Sequence, residues 1–138
     1  MKRDMRLRGL SSEHHHALLL ARSLLDRRGE WTPRDGAALL ERMRVELEPH
    51  FRVEEELLLP ALGAAGAMDL VQRTLEDHAF LRASAEEAAR GSPQAAYALG
   101  ERLHAHVRFE ESEVFPACEA LLAPEVLDEV GRRASSAH

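Results

Sequence analysis

A pattern of the form H-x-R-x-E-E-x-x-x-x-P occurs twice in this chain of 138 residues, and it constrains the fold more than any other feature. The first copy runs from His50 to Pro60 and the second from His106 to Pro116. In each copy a histidine precedes a glutamate by four positions, which places both side chains on one face of a helix, one turn apart. An imidazole and a carboxylate on one helical face are typical ligands of a transition metal. Two copies predict two metal ions, or one centre held from two sides.

The composition excludes several classes of protein. Alanine, leucine, arginine and glutamate dominate, and aromatic residues make up only 4%, which favours helices over sheets. The net charge of −6 argues against a nucleic-acid partner, and no apolar run approaches the ~18 residues of a membrane span. The start, Met1 to Asp4, lacks the apolar core of a signal peptide, and the single cysteine, Cys118, excludes an internal disulfide. We therefore expect one domain over residues 1–138, located in the cytoplasm, with no membrane or nucleic-acid partner.

Capping and helix-breaking residues divide the chain into four long helices. Two of them start at a hydroxyl residue followed by proline, an arrangement that caps the first turn and tolerates the missing N–H. The predicted helices run from Ser12 to Gly29, from Thr32 to Pro60, over about residues 67 to 90 before Gly91, and from Ser92 to Pro116. No stretch alternates convincingly with a period of two residues. The sequence therefore predicts an all-α fold, an up-down-up-down four-helix bundle over about residues 12–116.

Two segments lie outside this predicted bundle. Residues 1–11 are basic and are expected to form a loose arm. Residues 117–135 are predicted to form one or two short helices packed across one end of the bundle.

One histidine of each predicted helix lies on its apolar face. They are His14, His50, His78 and His106, each with apolar residues three or four positions away. On the first helix His14 fits this face better than His15, and both are candidates. With a rise of about 1.5 Å per residue, His14 and His50 lie roughly 22 and 25 Å along their helices from the turn near Gly29. By the same count His78 and His106 lie roughly 18 and 20 Å from the turn at Gly91. The four histidines can therefore share one layer of the bundle.

A single inward histidine is more often a bonded core residue than a ligand. This explanation does not suffice for four histidines and two glutamates in one layer, because a buried carboxylate without a compensating cation costs several kcal/mol. We therefore predict a metal site formed by His14, His50, Glu54, His78, His106 and Glu110.

Three further polar residues are expected on the solvent face. Glu55 and Glu111 follow the predicted glutamate ligands by one position and should turn away to pair with Arg52 and Arg108. His104 lies two positions before His106 and should point to the surface.

The order His, H-x-x-x-E, His, H-x-x-x-E resembles the hemerythrin-like (HHE cation-binding) domain family, and the resemblance runs from about Ser12 to Pro116. It implies a four-helix bundle with a non-haem di-iron centre, in which Glu54 and Glu110 bridge two iron ions. It also implies that His14 and His50 serve one iron and the other two histidines the second, or a swapped pairing. An oxo or hydroxo bridge fits such a centre, and manganese or zinc are alternatives to iron.

Two positions differ from the oxygen-carrying members of that family. Those proteins have a second histidine one turn after the third-helix histidine, where this chain has Arg82, and an aspartate where it has Glu110. Four histidines and two glutamates make a more symmetric centre with more open positions. This centre is similar to the iron-sulfur-cluster repair type, although the cysteine-bearing N-terminal domain often found there is not expected from these 138 residues.

The expected function is that of a di-iron protein that binds or reduces a small oxidant (dioxygen, nitric oxide or peroxide) at open iron positions. Oxygen and nitrogen donors without a thiolate favour iron or manganese over copper(I) or an iron-sulfur cluster. The alternative is a module that stores, delivers or senses a metal without turnover. A third hypothesis is an interaction bundle with buried, metal-free polar residues. The sequence does not indicate whether the chain is an enzyme, and it does not identify a protein partner.

Overall fold

A computed structural model describes residues 2–136, and in that range the chain forms helices and no strands. The five helices are α1 (Arg8–Leu25), α2 (33–64), α3 (Met68–Ala89), α4 (93–121) and α5 (Pro124–Ser136). α1 and α3 each contact α2 and α4, while α5 packs against the start of the chain and against α1 and α2. The all-α prediction is confirmed, and the up-down-up-down order of the four long helices stays a prediction. No helix of the described range is both long and apolar enough to cross a membrane.

The first helix begins earlier than predicted. Residues 1–11 were expected to form a loose arm, but Met5–Leu7 form a turn of 3₁₀-helix and α1 starts at Arg8. The carboxylate of Asp4 caps this turn by accepting a hydrogen bond from the Arg6 N–H at 2.8 Å. This segment is helical because it buries apolar side chains: Leu7 and Leu10 are completely shielded from solvent. The prediction of Ser12 as N-cap is therefore wrong, and α1 also ends at Leu25, before Gly29.

The starts of α2 and α4 follow their predicted capping residues. The Thr32 hydroxyl accepts a hydrogen bond from the Asp35 N–H at 3.2 Å, and the Asp35 carboxylate accepts one from the Thr32 N–H at 2.8 Å. The Ser92 hydroxyl accepts a hydrogen bond from the Ala95 N–H at 3.0 Å. These contacts satisfy N–H groups that a helix start leaves without an internal partner. The predicted caps of α2 and α4 are confirmed.

Pro60 does not end its helix. The sequence predicts a stop there, because proline lacks an N–H and its ring crowds the carbonyl four residues earlier. Instead α2 continues to Ala64, through a π-helical segment, Glu54–Leu58, in which the Leu59 N–H bonds to the Glu54 carbonyl. A wider π turn relieves the crowding without breaking the helix.

A π-helical segment also precedes two other prolines. Pro116 follows the π-helical segment Glu110–Val114, and Pro49 follows Met43–Leu47. As a result α4 also passes its proline and continues to Leu121. The two π segments of the repeated motif begin at Glu54 and Glu110, so the wider turns start at the glutamates predicted to bind metal.

The apolar core is divided into two clusters by a polar layer. One cluster contains Leu24, Leu39, Leu81 and Leu99, and the other contains Leu10, Leu62, Val71 and Phe115. Along α1 and α3, the inward histidine lies between residues of one cluster and residues of the other. Along α2 and α4, an inward histidine and glutamate together occupy this boundary. Leu75 is an exception to the predicted inward face of α3, since it is 44% exposed. The predicted common height of the histidines therefore corresponds to the boundary between two cores.

Gly36 of α2 lies against the backbone of α3. A Cβ at Gly36 would lie 2.9 Å from Ala89 Cα and 3.1 Å from the Ala89 carbonyl oxygen. We expect Gly36→Ala to lower the free energy of unfolding by about 1–2 kcal/mol, because overpacking against backbone outweighs the gain in helix propensity. Gly131→Ala is the control, since its nearest contact would be 3.4 Å and its stability should be unchanged or slightly higher. Urea unfolding measures both variants, and equal stabilities would contradict the close approach.

Candidate metal centre

The structure brings the six predicted side chains together in the polar layer. α1 provides His14, α2 provides His50 and Glu54, α3 provides His78, and α4 provides His106 and Glu110. Each of these residues is at most 4% exposed. His15, the other candidate on α1, is exposed to solvent, as is His104. The inward position on α1 therefore belongs to His14.

The six side chains form two sets that could each hold a metal ion. One set is His14, His50, Glu54 and Glu110, and the other is Glu54, His78, His106 and Glu110. Within each set the donor atoms lie within 4.8 Å of one another. Both glutamates belong to both sets, as a bridging carboxylate requires.

Each glutamate directs one oxygen to each set. Glu54 Oε2 lies 3.0 Å from His50 Nε2, and Glu54 Oε1 lies 3.0 Å from His78 Nε2. Glu110 Oε1 lies 2.8 Å from His14 Nε2, and Glu110 Oε2 lies 3.4 Å from His106 Nε2. Of the two pairings left open by the family resemblance, this geometry favours His14 with His50 and His78 with His106.

Most of these inward atoms are buried without a hydrogen bond. The buried, unsatisfied atoms include Nε2 of His50, His78 and His106, both carboxylate oxygens of Glu54, and Oε2 of Glu110. An unsatisfied buried polar group costs about 1–3 kcal/mol, and a charged one costs more. Two cations between the sets would satisfy all of these atoms at once, so the residues fit a two-metal centre.

Four further carboxylates hold the outer nitrogens of the histidines. The Nδ1 atoms of His14 and His78 lie 2.6 Å from carboxylate oxygens of Glu111 and Glu55. The same contact joins His50 to Glu13 at 2.9 Å and His106 to Asp77 at 2.8 Å. In a neutral imidazole, an Nδ1–H that donates to a carboxylate leaves Nε2 as the lone-pair nitrogen and fixes the ring. The four imidazoles therefore direct Nε2 towards the two sets of candidate ligands.

These outer carboxylates form a closed ring around the bundle. α1 supplies Glu13 to the histidine of α2, and α2 supplies Glu55 to the histidine of α3. α3 supplies Asp77 to the histidine of α4, and α4 supplies Glu111 to the histidine of α1. The orientation of every histidine thus depends on a neighbouring helix.

The sequence-based expectation for Glu55 and Glu111 is wrong. Instead of pairing with Arg52 and Arg108, they accept hydrogen bonds from inward histidines, and both arginines are solvent-exposed. Sequence reasoning also missed Glu13 and Asp77, although each directly precedes an inward histidine. Each helix in fact carries its outer carboxylate next to an inward ligand, which is the signal that could have revealed them.

Arginines from elsewhere in the fold hold three of the outer carboxylates. Arg82 donates to Glu55 at 2.9 Å, Arg102 donates to Asp77 at 2.7 Å, and Arg3 donates to Glu111 at 3.2 Å. In each case burial raises the pKa of the carboxyl group. Hydrogen bonds from the histidine and the arginine outweigh burial at Glu55 and Asp77, and hydrogen bonds from His14 and Ser11 with the charge of Arg3 do so at Glu111, so all three pKa values lie below their usual value. These carboxylates therefore remain ionised at neutral pH.

The inner histidines favour protonation while no cation is bound. Burial lowers the pKa of His106, but the charge of Glu110 and the hydrogen bond to Asp77 outweigh it and raise the pKa to about 10. Burial is likewise outweighed at His14 and His50, whose pKa values are raised by neighbouring carboxylates. Burial raises the pKa of Glu110, but the facing histidines lower it well below its usual value. The carboxylates of the polar layer thus favour the protonated form of the histidines that face them.

A small cavity lies against one half of the centre. Its volume is about 10 Å³, and its inner wall includes His14, His50 and His106. The rest of the wall is largely apolar, with Leu47, Phe51, Leu103 and Val107, and the lining also includes the polar residues Glu13, His16 and Glu46. A space of this size holds about one water molecule. The only cysteine, Cys118, is buried with a pKa raised to about 12 and belongs to neither set of candidate ligands.

The comparison with known proteins gives one match. The model of the hemerythrin HHE cation binding domain matches residues 5–118, which is most of the chain. No curated protein and no solved structure matches significantly. The matched range contains all six inward residues and the four outer carboxylates, so the repeated motif, the helical fold and the family model coincide. The chain belongs to the hemerythrin HHE cation-binding domain family.

Proposed function

We propose that this chain is a non-haem di-iron protein that binds or reduces a small oxidant at a centre of four histidines and two glutamates. The observation that carries the proposal is the convergence of six buried donor groups into two sets that share both carboxylates. When bound, two iron ions would supply one-electron chemistry towards dioxygen, nitric oxide or peroxide. His14 and His50 would hold one ion, His78 and His106 would hold the other, and Glu54 and Glu110 would bridge them.

The number of donors supports a ligand-binding role. Each set offers two imidazole nitrogens and two carboxylate oxygens, which is fewer than the six ligands that iron commonly takes. A purely structural site is expected to be closed by protein ligands, whereas a reactive site keeps positions open. The absence of a thiolate from both sets favours iron or manganese over copper(I).

The cavity supports a small ligand at one particular half. It borders both His14 and His50 but only His106 of the other half, and its volume of about 10 Å³ suits a diatomic molecule better than an organic substrate. Leu47, Leu103 and Val107 of its wall are buried, and an apolar surrounding strengthens electrostatic interactions. We therefore assign the ligand position to the half formed by His14 and His50.

The chain's own residues prepare the centre for cations. The outer carboxylates fix each Nε2 towards the interior, and outer and inner carboxylates together outnumber the arginines that contact them. This excess of negative charge favours two divalent cations in a region that excludes water.

The test begins with metal-free protein under anaerobic conditions. Addition of Fe²⁺ followed by gel filtration and metal analysis should give two irons per chain, and analysis of protein as purified distinguishes iron from manganese and zinc. Exposure of separate samples to dioxygen, nitric oxide and peroxide should change the absorption spectrum, and a reductant should restore it. No bound metal would refute the centre. Bound iron that responds to none of the three oxidants would instead identify a storage or delivery module.

Two histidines of α4 provide a matched pair of variants. His106 is 2% exposed and belongs to the centre, whereas His104 is exposed two positions earlier. His106→Ala should retain at most one iron per chain, and His104→Ala should retain two. Equal iron contents in both variants would show that the bound metal lies elsewhere.

A further inference from the structure

Two inward histidines are held by the same three-part arrangement. His14 has its outer nitrogen on Glu111 and its ring stacked on Phe115, with centroids 5.2 Å apart and ring planes 5° apart. His78 has its outer nitrogen on Glu55 and its ring stacked on Phe51, with centroids 3.9 Å apart and planes 21° apart. Each ring is thus fixed by one carboxylate and one phenyl group.

One arginine contacts both supports of His14. Arg3 donates hydrogen bonds to the Glu111 carboxylate at 3.2 Å and to the Glu111 carbonyl at 2.7 Å. A second nitrogen of the same guanidinium donates to Glu119 at 3.0 Å. The guanidinium also lies over the Phe115 ring, 5.5 Å from its centroid. Arg3 therefore links the start of the chain to both groups that fix His14.

Another arginine does the same for His78. Arg82 donates to Glu55 at 2.9 Å and to Glu48 at 2.6 Å, so its planar fork joins two carboxylates of α2. Its guanidinium lies over the Phe51 ring, 5.2 Å from the centroid. The two arginines come from different segments, yet each contacts both the phenyl ring and the carboxylate that hold one imidazole.

We propose that Arg3 and Arg82 are positioning residues, each of which secures the metal ion of one half of the centre. Arg3 acts on the half of His14 and His50 through Glu111 and Phe115. Arg82 acts on the half of His78 and His106 through Glu55 and Phe51. Neither arginine belongs to the two sets of candidate ligands, so each would work by restricting its carboxylate and its ring.

The inference rests on the proposed two-metal centre, and iron release tests it. The protein is loaded with two Fe²⁺ per chain without oxygen, and ferrozine then competes for the metal. Arg3→Met and Arg82→Met keep the aliphatic stem and remove the guanidinium. Each should release about half of its iron at least roughly tenfold faster than wild type, with the other half unchanged, since loss of an outer ligand contact typically weakens metal affinity 10- to 100-fold.

The double variant assigns the two halves. If the arginines secure different ions, Arg3→Met combined with Arg82→Met should release all of its iron fast. If the double variant releases only half of its iron in the fast phase, both arginines act on the same ion, and the assignment is overturned. Faster release of all the iron in either single variant would indicate general loosening and would also overturn it.

Arg52 and Arg108 provide the matched controls. They belong to the repeated motif, lie close to Glu55 and Glu111 in sequence and are exposed, so Arg52→Met and Arg108→Met should release iron like wild type. Arg3→Lys and Arg82→Lys keep the positive charge but remove the planar guanidinium. They replace the methionine variants in the iron-release experiment if a methionine variant does not fold. Each should release the same half faster than wild type, and wild-type kinetics in both would overturn the proposal. A wild-type protein that binds no iron would refute the centre itself, whereas two irons with unaltered release in the variants refutes only the role of the arginines.

Discussion

Ferrous iron should raise the midpoint of thermal unfolding of the metal-free protein by roughly 10–20 °C, and Glu110→Gln should remove most of this shift. The two sets of ligands converge only in the folded chain, and a ligand that binds only the folded state at about 1,000 times its dissociation constant contributes about 4 kcal/mol. For a domain of this size each kcal/mol corresponds to roughly 3–5 °C. Glu110 belongs to both sets, so its loss removes a donor from both ions.

Calorimetry or circular dichroism without oxygen measures this shift, with each protein compared with and without Fe²⁺. The comparison within each variant matters because Glu110→Gln also changes the stability of the metal-free chain. Glu113→Gln is the matched control, since Glu113 lies on the same helix and is exposed, and it should keep the full shift. An equal shift in Glu110→Gln and wild type would contradict a bridging position for Glu110.

The six inward residues could be identified from sequence because they follow helix geometry. A histidine and a glutamate four positions apart share a face, and apolar neighbours show that this face is inward. The turn residues supply a second coordinate, since counting from Gly29 and Gly91 places the histidines at one height. Face and height together determine which side chains can meet, and no contact between particular helices had to be known.

The outer carboxylates escaped prediction because they follow a different geometry. A residue adjacent to an inward ligand is turned by about 100° around the helix, which a single helix presents as its solvent face. In a bundle that direction can instead point at the neighbouring helix, and Glu55 and Glu111 reach histidines of α3 and α1 in this way. The contact depends on which helices are neighbours and in which order they surround the centre. That information lies in the tertiary structure and not in the local pattern.

The prolines of the motif illustrate a conflict between two local rules. Proline removes a hydrogen bond and crowds the preceding turn, so the sequence predicts a helix end at Pro60. Burial of Leu59 and Leu62 on the same face favours continuing the helix, and the π turn from Glu54 to Leu58 satisfies both. The N-terminal arm is a similar case, since the burial of Leu7 and Leu10 outweighs its charge. In both segments tertiary packing determines the local structure.

Loading the centre at pH 7 should release protons, up to about three per chain. In the metal-free protein the pKa of His106 is raised to about 10, that of His50 lies well above its usual value, and that of His14 is raised as well, so these imidazoles hold protons more strongly than a free histidine. Any proton on Nε2 must leave before that nitrogen can bind a cation. The apparent affinity for Fe²⁺ should therefore rise with pH, by up to about tenfold per pH unit for each proton released. Titration in weak buffer with a pH indicator counts the protons. Binding without proton release would show that the metal does not replace these protons.

The same protons give the metal-free protein a stability that falls as pH rises. A histidine whose pKa is raised on folding stabilises fully below its unfolded value near 6.5, and for His106 this contribution disappears as the pH approaches its folded value of about 10. Each such histidine contributes a slope of about −1.4 kcal/mol per pH unit within its window. Glu110 acts oppositely, because its lowered pKa contributes stability that is present above about pH 4.5 and is lost at lower pH.

Urea unfolding between pH 6 and 9 tests this pH dependence in the metal-free and iron-loaded protein. The metal-free chain should lose several kcal/mol over this range, and His106→Gln should reduce the slope by about 1.4 kcal/mol per pH unit, because it removes one of the titrating groups. His104→Gln, an exposed neighbour on α4, should leave the slope unchanged. In the iron-loaded protein the imidazoles are already deprotonated, so stability should depend much less on pH between 7 and 9. Parallel curves for the two forms would mean that the protons and the cations occupy different places, because one set of nitrogens cannot hold both.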